Sequence, residues 1–208
     1  MALTANGIGR SFRQVEVLRG VDLAVEPGEF VTIGGPSGSG KSALLSILCG
    51  FDRPDVGQVL IGDVELDGAP SWQHCAVLPQ ALGLAGELTL VENTALPLLL
   101  TGSAEAKSRS LAVLTELGVG DLADRYPNEV SYGQQQRAAL ARAIVVEPAV
   151  LLVDEPTAHV DHASAEVVLT VLRRVADRGT AVIAATHDPR VHAVADRRLR
   201  LDKGRLVA

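Results

Sequence analysis

The chain has 208 residues, 47% of them hydrophobic and 21% charged, a length that suits one compact domain with a full-sized core. Acidic residues outnumber basic ones, 25 to 19, and aromatics make up only 3%, so a general nucleic-acid binder or a base-stacking surface is disfavoured. No apolar run reaches the ~18 residues of a membrane-spanning helix, no basic-then-apolar leader opens the chain, and Cys49 and Cys75 form neither a CxxC pair nor a disulfide framework. The expectation is a soluble, cytoplasmic, single domain over 1–208.

In chain order, short β-type runs broken by glycine come first. Val15–Leu18, Val21–Val25, Phe30–Ile33 and Val59–Ile61 read as strands, with a turn at Pro27-Gly28. Between the last two lies Gly35-Pro36-Ser37-Gly38-Ser39-Gly40-Lys41-Ser42, followed by the apolar segment Ala43–Leu48. From about Leu84 to Val146 the chain is rich in leucine and alanine and reads helical. Within it, Ser103–Leu117 is predicted as a helix with Ala104, Leu111, Leu114 and Leu117 on one face and Gly118 as its cap. Ser131 and Gln134 form an S-x-x-Q capping box ahead of the helical run Ala138–Val146, which Pro148 ends. A strand at Val150–Val153, a helix near Ala163–Arg178 and a strand at Ala181–Ala185 follow. Continuous apolar runs such as Val150–Val153 are typical of buried parallel strands. Strand, long helical insert, strand, helix, strand fits an α/β sheet with an inserted helical subdomain.

The chemistry concentrates in four places. Gly35–Ser42 fills every fixed position of G-x-x-x-x-G-K-[ST], in the strand–loop–helix context that motif needs. Its glycines let backbone N–H groups converge on one point, and the helix N-terminus adds partial positive charge. Lys41 would reach the β- and γ-phosphates of a nucleoside triphosphate, and Ser42 would place its hydroxyl on Mg²⁺. Asp154 and Glu155 end the strand Val150–Val153, which puts them near that loop if the two strands are neighbours. Asp154 would hold Mg²⁺, mostly through water, and Glu155 would act as general base on the attacking water. His187, after the strand Ala181–Ala185, would hydrogen-bond the γ-phosphate. The capped helix start at Ser131 is a second anion-seeking site.

With these motifs in this order the chain resembles the ATP-binding cassette (ABC) ATPases over essentially its whole length. Gly35–Ser42 resembles the Walker A loop, Val130–Gln134 the signature sequence, and Val150–Glu155 Walker B with its catalytic glutamate. Gln80 stands at the Q-loop glutamine, Ala158–Asp161 at the D-loop, His187 at the switch histidine, and Phe12 where an aromatic stacks on adenine. The resemblance implies an α/β P-loop NTPase: a RecA-like parallel sheet core, an N-terminal antiparallel β subdomain and an inserted α-helical subdomain. Core and β subdomain would cover about 1–80 and 149–208, the helical subdomain about 81–148. It further implies ATP and Mg²⁺ as cofactors, with Glu155, His187 and Gln80 catalytic and Ser42, Gln80 and Asp154 at the metal. Phe12 and the loop residues Gly35, Pro36, Ser37, Gly38, Ser39, Gly40, Lys41 and Ser42 would bind ATP. Ser131, Gly133 and Gln134 would complete the site of a second ABC domain, a homodimer packed head to tail.

The implied activity is ATP hydrolysis that powers a separate integral membrane permease, docked near residues 81–100. No nucleic acid and no direct membrane insertion are implied, and the subunit would sit on the inner face of the cell membrane through that permease. Phe51–Pro54, Leu88–Asn93 with Leu96–Leu98, and Ala185–Asp188 look most like the branch serving lipoprotein release, macrolide-type export and cell division. The same motifs suit an alternative, a mechanotransmitting ATPase that controls an extracytoplasmic process without transport. A DNA or ribosome ATPase would carry a long coiled coil or a second cassette, and this chain has neither. Three stretches depart from the family pattern. Val130 and Tyr132 replace the usual Leu and first Gly of the signature, which requires the Tyr132 ring to point away from nucleotide. Ala43 stands where a hydroxyl residue is usual. Asp67–Gln73 replaces a helix, and the arginine often found before the Q-loop is absent.

Overall fold

The computed structural model describes residues 1–158 and 160–207. In chain order its strands are β1 (Leu3–Phe12), β2 (Val15–Val25), β3 (Phe30–Gly34), β4 (Val56–Ile61), β5 (Val64–Glu65), β6 (Cys75–Leu78), β7 (Val150–Asp154), β8 (Ala181–Ala185), β9 (Arg197–Asp202) and β10 (Arg205–Val207). Its helices are α1 (Lys41–Leu48), α2 (Leu90–Leu100), α3 (Ala106–Glu116), α4 (Tyr132–Ile144), α5 (His162–Asp177) and α6 (Pro189–Ala193). A four-stranded antiparallel sheet runs β2-β1-β4-β5. A six-stranded sheet runs β10-β9-β3-β8-β7-β6, parallel except for β10.

Side chains of a strand alternate between faces, and the central strands use both. Leu151, Val153, Val182, Ala184 and Phe30 pack with α4 and α5 residues such as Leu140 and Leu172. Val150, Leu152, Ile183, Val31 and Ile33 pack on the other side with Leu44 and Leu48 of α1 and with Leu3 and Val25 of the antiparallel sheet. The sheet is therefore the middle layer of three. Helices α2, α3 and α4 lie between β6 and β7 in sequence and pack on one another beside the first of these cores.

Several predicted elements shift. Val15–Leu18 and Val21–Val25 are one strand: Ile8 pairs with Val21 and Arg10 with Leu18, so irregular register absorbs Arg19-Gly20. β1 escapes a period-two reading because Gly7, at φ 60°, breaks the alternation between Ala5 and Ile8, both buried. The predicted face of the Ser103–Leu117 helix is half right. Leu114 and Leu117 are buried, but the helix starts at Ala106 and turns Ala106 and Ser110 inward, leaving Ala104 and Leu111 exposed. Gly118 does close it, at φ 68°, with Gly118 N–H on Thr115 O and Val119 N–H on Leu114 O, the Schellman arrangement. Between β5 and β6 no helix forms.

The consequence for function is the register of the strand ends. Ile33 of β3 lies beside Ala185 of β8, Ala185 beside Asp154 of β7, and Val153 beside Leu78 of β6. The loops leaving those strands therefore emerge along one edge, where open α/β sheets bind ligands.

Phe30 is the largest fully buried side chain of the sheet layer. Phe30→Ala should cost about 3–5 kcal/mol of unfolding free energy, read from the urea midpoint at unchanged slope. A loss below about 1 kcal/mol would mean that the layers do not close on this ring.

Candidate nucleotide site

β3 ends at Gly34, and the chain then turns through Gly35, Gly38 and Gly40 at φ 144°, 76° and 106° before entering α1. These are conformations that side-chain-bearing residues avoid. A Cβ on Gly35 would stand 2.4 Å from the Leu201 carbonyl oxygen of β9, so the loop is moulded against that strand. Gly40 caps α1 without a side-chain hydrogen bond, and no acidic residue occupies the first turn. The first N–H groups of α1 are thus free for an anion. Lys41 folds back over the loop, its Nζ donating to the Gly35 and Pro36 carbonyls at 2.8 and 3.1 Å. Ser39 Oγ is buried with no hydrogen-bond partner among the described residues, an orphaned polar atom inside the same loop.

β3 and β7 are not neighbours, as the sequence reading required for their loops to meet: β8 lies between them. The gap is bridged by α1, whose Ser42 Oγ donates to Asp154 Oδ2 at 2.9 Å. Burial pushes the Asp154 carboxyl above the usual carboxylate range, opposed by the Ser42 hydrogen bond. Ser42 and Asp154 offer adjacent hard oxygens, the donor type magnesium takes, beside a loop built for phosphate. The residues present fit that ion together with a nucleotide.

Glu155 sits at φ 52° with its N–H on the Ala185 carbonyl. Its carboxylate meets His187 Nδ1 at 2.8 Å through Oε1, and accepts Thr186 Oγ1 at 3.1 Å and the His187 N–H at 3.4 Å through Oε2. A carboxylate only accepts, so the ring proton belongs on Nδ1 and Nε2 is left toward solvent. The side chains differ in exposure, 14% for Glu155 and 79% for His187, which suits a fixed group and a free one.

The other expected residues divide. Gln80 lies two residues beyond β6, exposed, and its side chain has no hydrogen bond to Ser42 or Asp154. Ser131 caps α4: its Oγ accepts the Gln134 N–H at 3.3 Å while Gln134 Oε1 accepts the Ser131 N–H at 2.8 Å. Gly133 packs against Val160, where a Cβ would meet Val160 Cγ1 at 3.2 Å. Among the described residues the side-chain hydrogen bonds of Ser131 and Gln134 stay within the α4 cap, and none runs to the phosphate loop of the same chain. Of the expected D-loop Ala158–Asp161, His159 lies outside the described residues, and Asp161 caps α5 through Ser164. Phe12 ends β1, 44% exposed, with the Arg10 guanidinium 4.8 Å from its ring centroid. Arg10 is itself clamped by Asp52 and Asp55 at 2.7–3.1 Å.

Three residues near the acid pair escaped the sequence reading. Thr186, which the sequence offers only as part of the stretch Ala185–Asp188, donates its Oγ1 to Glu155. Gln136 donates to the carbonyls of Glu155 and Pro156 from the interior of α4. Asp188 receives Thr157 Oγ1 at 2.6 Å and the Arg190 side chain at 2.7 Å, and its Oδ1 takes the Arg190 N–H that caps α6. Gln136 carries one local signal, a polar residue on the buried face of an apolar helix.

A family model described as ABC transporter matches residues 18–158. The lipoprotein-releasing system ATP-binding protein LolD of Aquifex aeolicus (strain VF5) is 38% identical, over 99% of this chain and 96% of that protein. LolD of Legionella pneumophila (strain Paris) is also 38% identical, over 99% and 97%. Among solved structures, the ATP-binding cassette MJ0796, in a dimeric post-hydrolysis state bound to ADP and Pi, matches with a TM-score of 0.91 at 30% identity. That match covers 99% of this chain and 97% of the other.

Hydrogen bonds from Arg190 hold the Asp188 carboxyl well below the usual carboxylate range. A depressed folded-state pKa stabilises above the unfolded value of about 3.9 and fades as pH falls through the folded one. Asp188→Asn should therefore lower unfolding free energy at pH 7 by about 1–3 kcal/mol. The gap in urea midpoint between variant and parent should shrink as the pH is taken below about 4. A gap that widens on acidification would contradict the assignment.

Proposed function

Because the chain belongs to the ABC transporter family of ATP-binding proteins, we propose that two copies close head to tail on ATP and reopen on its hydrolysis, driving a separate membrane permease. The observation that carries this reading is a division of labour within one chain. Lys41, Ser42, Asp154, Glu155 and His187 gather at one sheet edge. The second anion-seeking helix start, at Ser131, keeps its side-chain hydrogen bonds within its own cap among the described residues. A γ-phosphate bridging the loop of one copy and the α4 start of the other makes contacts that vanish once it leaves.

The residues suit those tasks. Lys41 has three donors and spends two on loop carbonyls, a resting position from which it can turn to phosphate. The Ser131 cap uses one lone pair of its hydroxyl and leaves the O–H proton for a phosphate oxygen. Ser42 and Asp154, with Gln80, would hold Mg²⁺, which when bound would neutralise charge on the β- and γ-phosphates. Glu155 takes the proton of the attacking water as the water oxygen bonds to the γ-phosphorus and the bond to the ADP oxygen breaks. Thr186 and His187 hold that carboxylate in place, and His187 Nε2 remains for the γ-phosphate when its ring is protonated. Phe12 offers one open ring face to adenine, Arg10 covering the other.

No helix among the described residues is long and apolar enough to cross a membrane, so attachment to the inner face would run through the permease. The exposed Leu99 and Leu100 at the end of α2 support docking within residues 81–100. Likeness to the LolD proteins over nearly the full length supports the lipoprotein-release branch, and the mutual packing of α2, α3 and α4 supports a helical unit at about 81–148.

Glu155→Gln should lower turnover by about 100-fold or more while retaining ATP binding. With ATP and magnesium that variant should elute as a dimer on size exclusion with light scattering. A persistent monomer, with or without the permease, would overturn the proposal. Phe12→Ala should weaken ATP binding by about tenfold and leave tripolyphosphate binding unchanged, measured by calorimetry. Equal losses for both ligands would remove Phe12 from the adenine site.

A further inference from the structure

Helical side chains hold the segment after β6 by its backbone. Tyr132 Oη donates to the Gln80 carbonyl at 3.0 Å, and Arg142 donates to those of Leu82 and Gly83 at 2.7 and 2.6 Å. Both come from α4. Asn93 of α2 continues the clamp, donating to Ala85 O and Leu88 O and accepting the Ala85 N–H. Gln80 to Leu88 is therefore fastened to the helical layer. Only Pro79, with its fixed φ and no N–H, separates that segment from β6.

The Gln80 side chain is exposed and forms no hydrogen bond among the described residues, so its reach is set by its backbone. The backbone group nearest to it is pinned by one hydroxyl. We propose that Tyr132 is a positioning residue for hydrolysis in its own chain: by anchoring the Gln80 carbonyl it aims the Gln80 side chain toward the Ser42–Asp154 pair. This rests on the reading of Gln80 as a site residue. A glycine, usual at this signature position, offers no such bond. Tyr132 thereby gives the departure a use and turns its ring toward its own Q-loop rather than toward a nucleotide held against α4. The competing role is a contact across the seam with the partner's nucleotide, which an exposure of 42% leaves geometrically open.

A double-mutant cycle on the purified full chain separates them. Tyr132→Phe keeps the ring and removes the hydroxyl; it should lower kcat about three- to tenfold, the span of one hydrogen bond, with KM and ATP affinity within about twofold. Tyr132→Gly should show the same split. In a Gln80→Ala background the Tyr132→Phe change should have no further effect, because the side chain it aims is gone. A purely structural contribution would persist there and would show as a lower Tm. Additive losses, a raised KM with weaker nucleotide-driven dimerisation, or no loss of kcat would each overturn the proposal while sparing Gln80. If Gln80→Ala alone leaves kcat intact, Gln80 drops out of the reaction and the proposal falls with it.

Discussion

The site depends on the parallel pairing of β3, β8 and β7. A parallel ladder in register makes strands end together, so three loops that are distant in sequence open within a few ångströms of one another. The Ser42–Asp154 bond, spanning 112 residues of sequence, is the direct product of that register. A slip of one residue in β7 would turn Leu151 and Val153 away from the α4–α5 side and carry Asp154 to the wrong face. The apolar pattern that buries both faces of the sheet is thus also what aims the carboxylates. Stability and chemistry share one constraint, and for that reason the polar groups sit at strand ends, where alternation no longer forces them inside.

The phosphate loop, the acid pair, His187 and the Ser131 cap were legible because each is a local pattern whose chemistry is independent of distance. The six strand segments, two of them halves of β2, and the α5 region were legible for a similar reason: their patterns are short and nearly unbroken. What stayed hidden depends on contacts far apart in sequence. β1 is masked by the irregularity at Gly7, and β6 and β9 are short or salted with arginines, so neither shows a clean period. The order of the sheet could not be read either, and placing β8 between β3 and β7 had to come from the structure. Gln136 and Thr186 look like ordinary helix and strand-end residues until Glu155 is brought beside them.

α4 serves several ends at once. Its first turn presents the Ser131 cap, Gln136 fixes the backbone behind Glu155, and Tyr132 with Arg142 holds the segment after β6. Arg142 is buried, and burial depresses its pKa, yet its two short bonds to carbonyl oxygens supply the compensation that a buried charge needs. A helix that shifted as a rigid unit would move a group offered to a partner and a group used by its own chain together. Under the proposed closure, coupling between two nucleotide sites would then need no long relay, since one helix carries side chains for both tasks.

Glu155 adds a second form of control. A non-glycine residue at φ 52° sits in a sparsely populated region and persists only where its surroundings over-determine it. Here they do: the Ala185 carbonyl takes its N–H, Gln136 donates to its C=O, and Thr186 and His187 occupy its carboxylate. Three of those four partners lie on β8 or the residues just past it, so the conformation of Glu155 is inherited from the strand that separates β3 from β7. In the proposed role, a carboxylate held in this way would need less reorganisation when a proton moves. Yet both its oxygens are engaged, and in the proposed role one would have to be released or shared for the carboxylate to accept a proton from water. His187, the exposed member of the pair, is the partner free to swing away. The contact that holds the Glu155 carboxylate is therefore also the one best suited to respond to a phosphate in the proposed reaction, because the same imidazole that restrains Glu155 is the more exposed of the two.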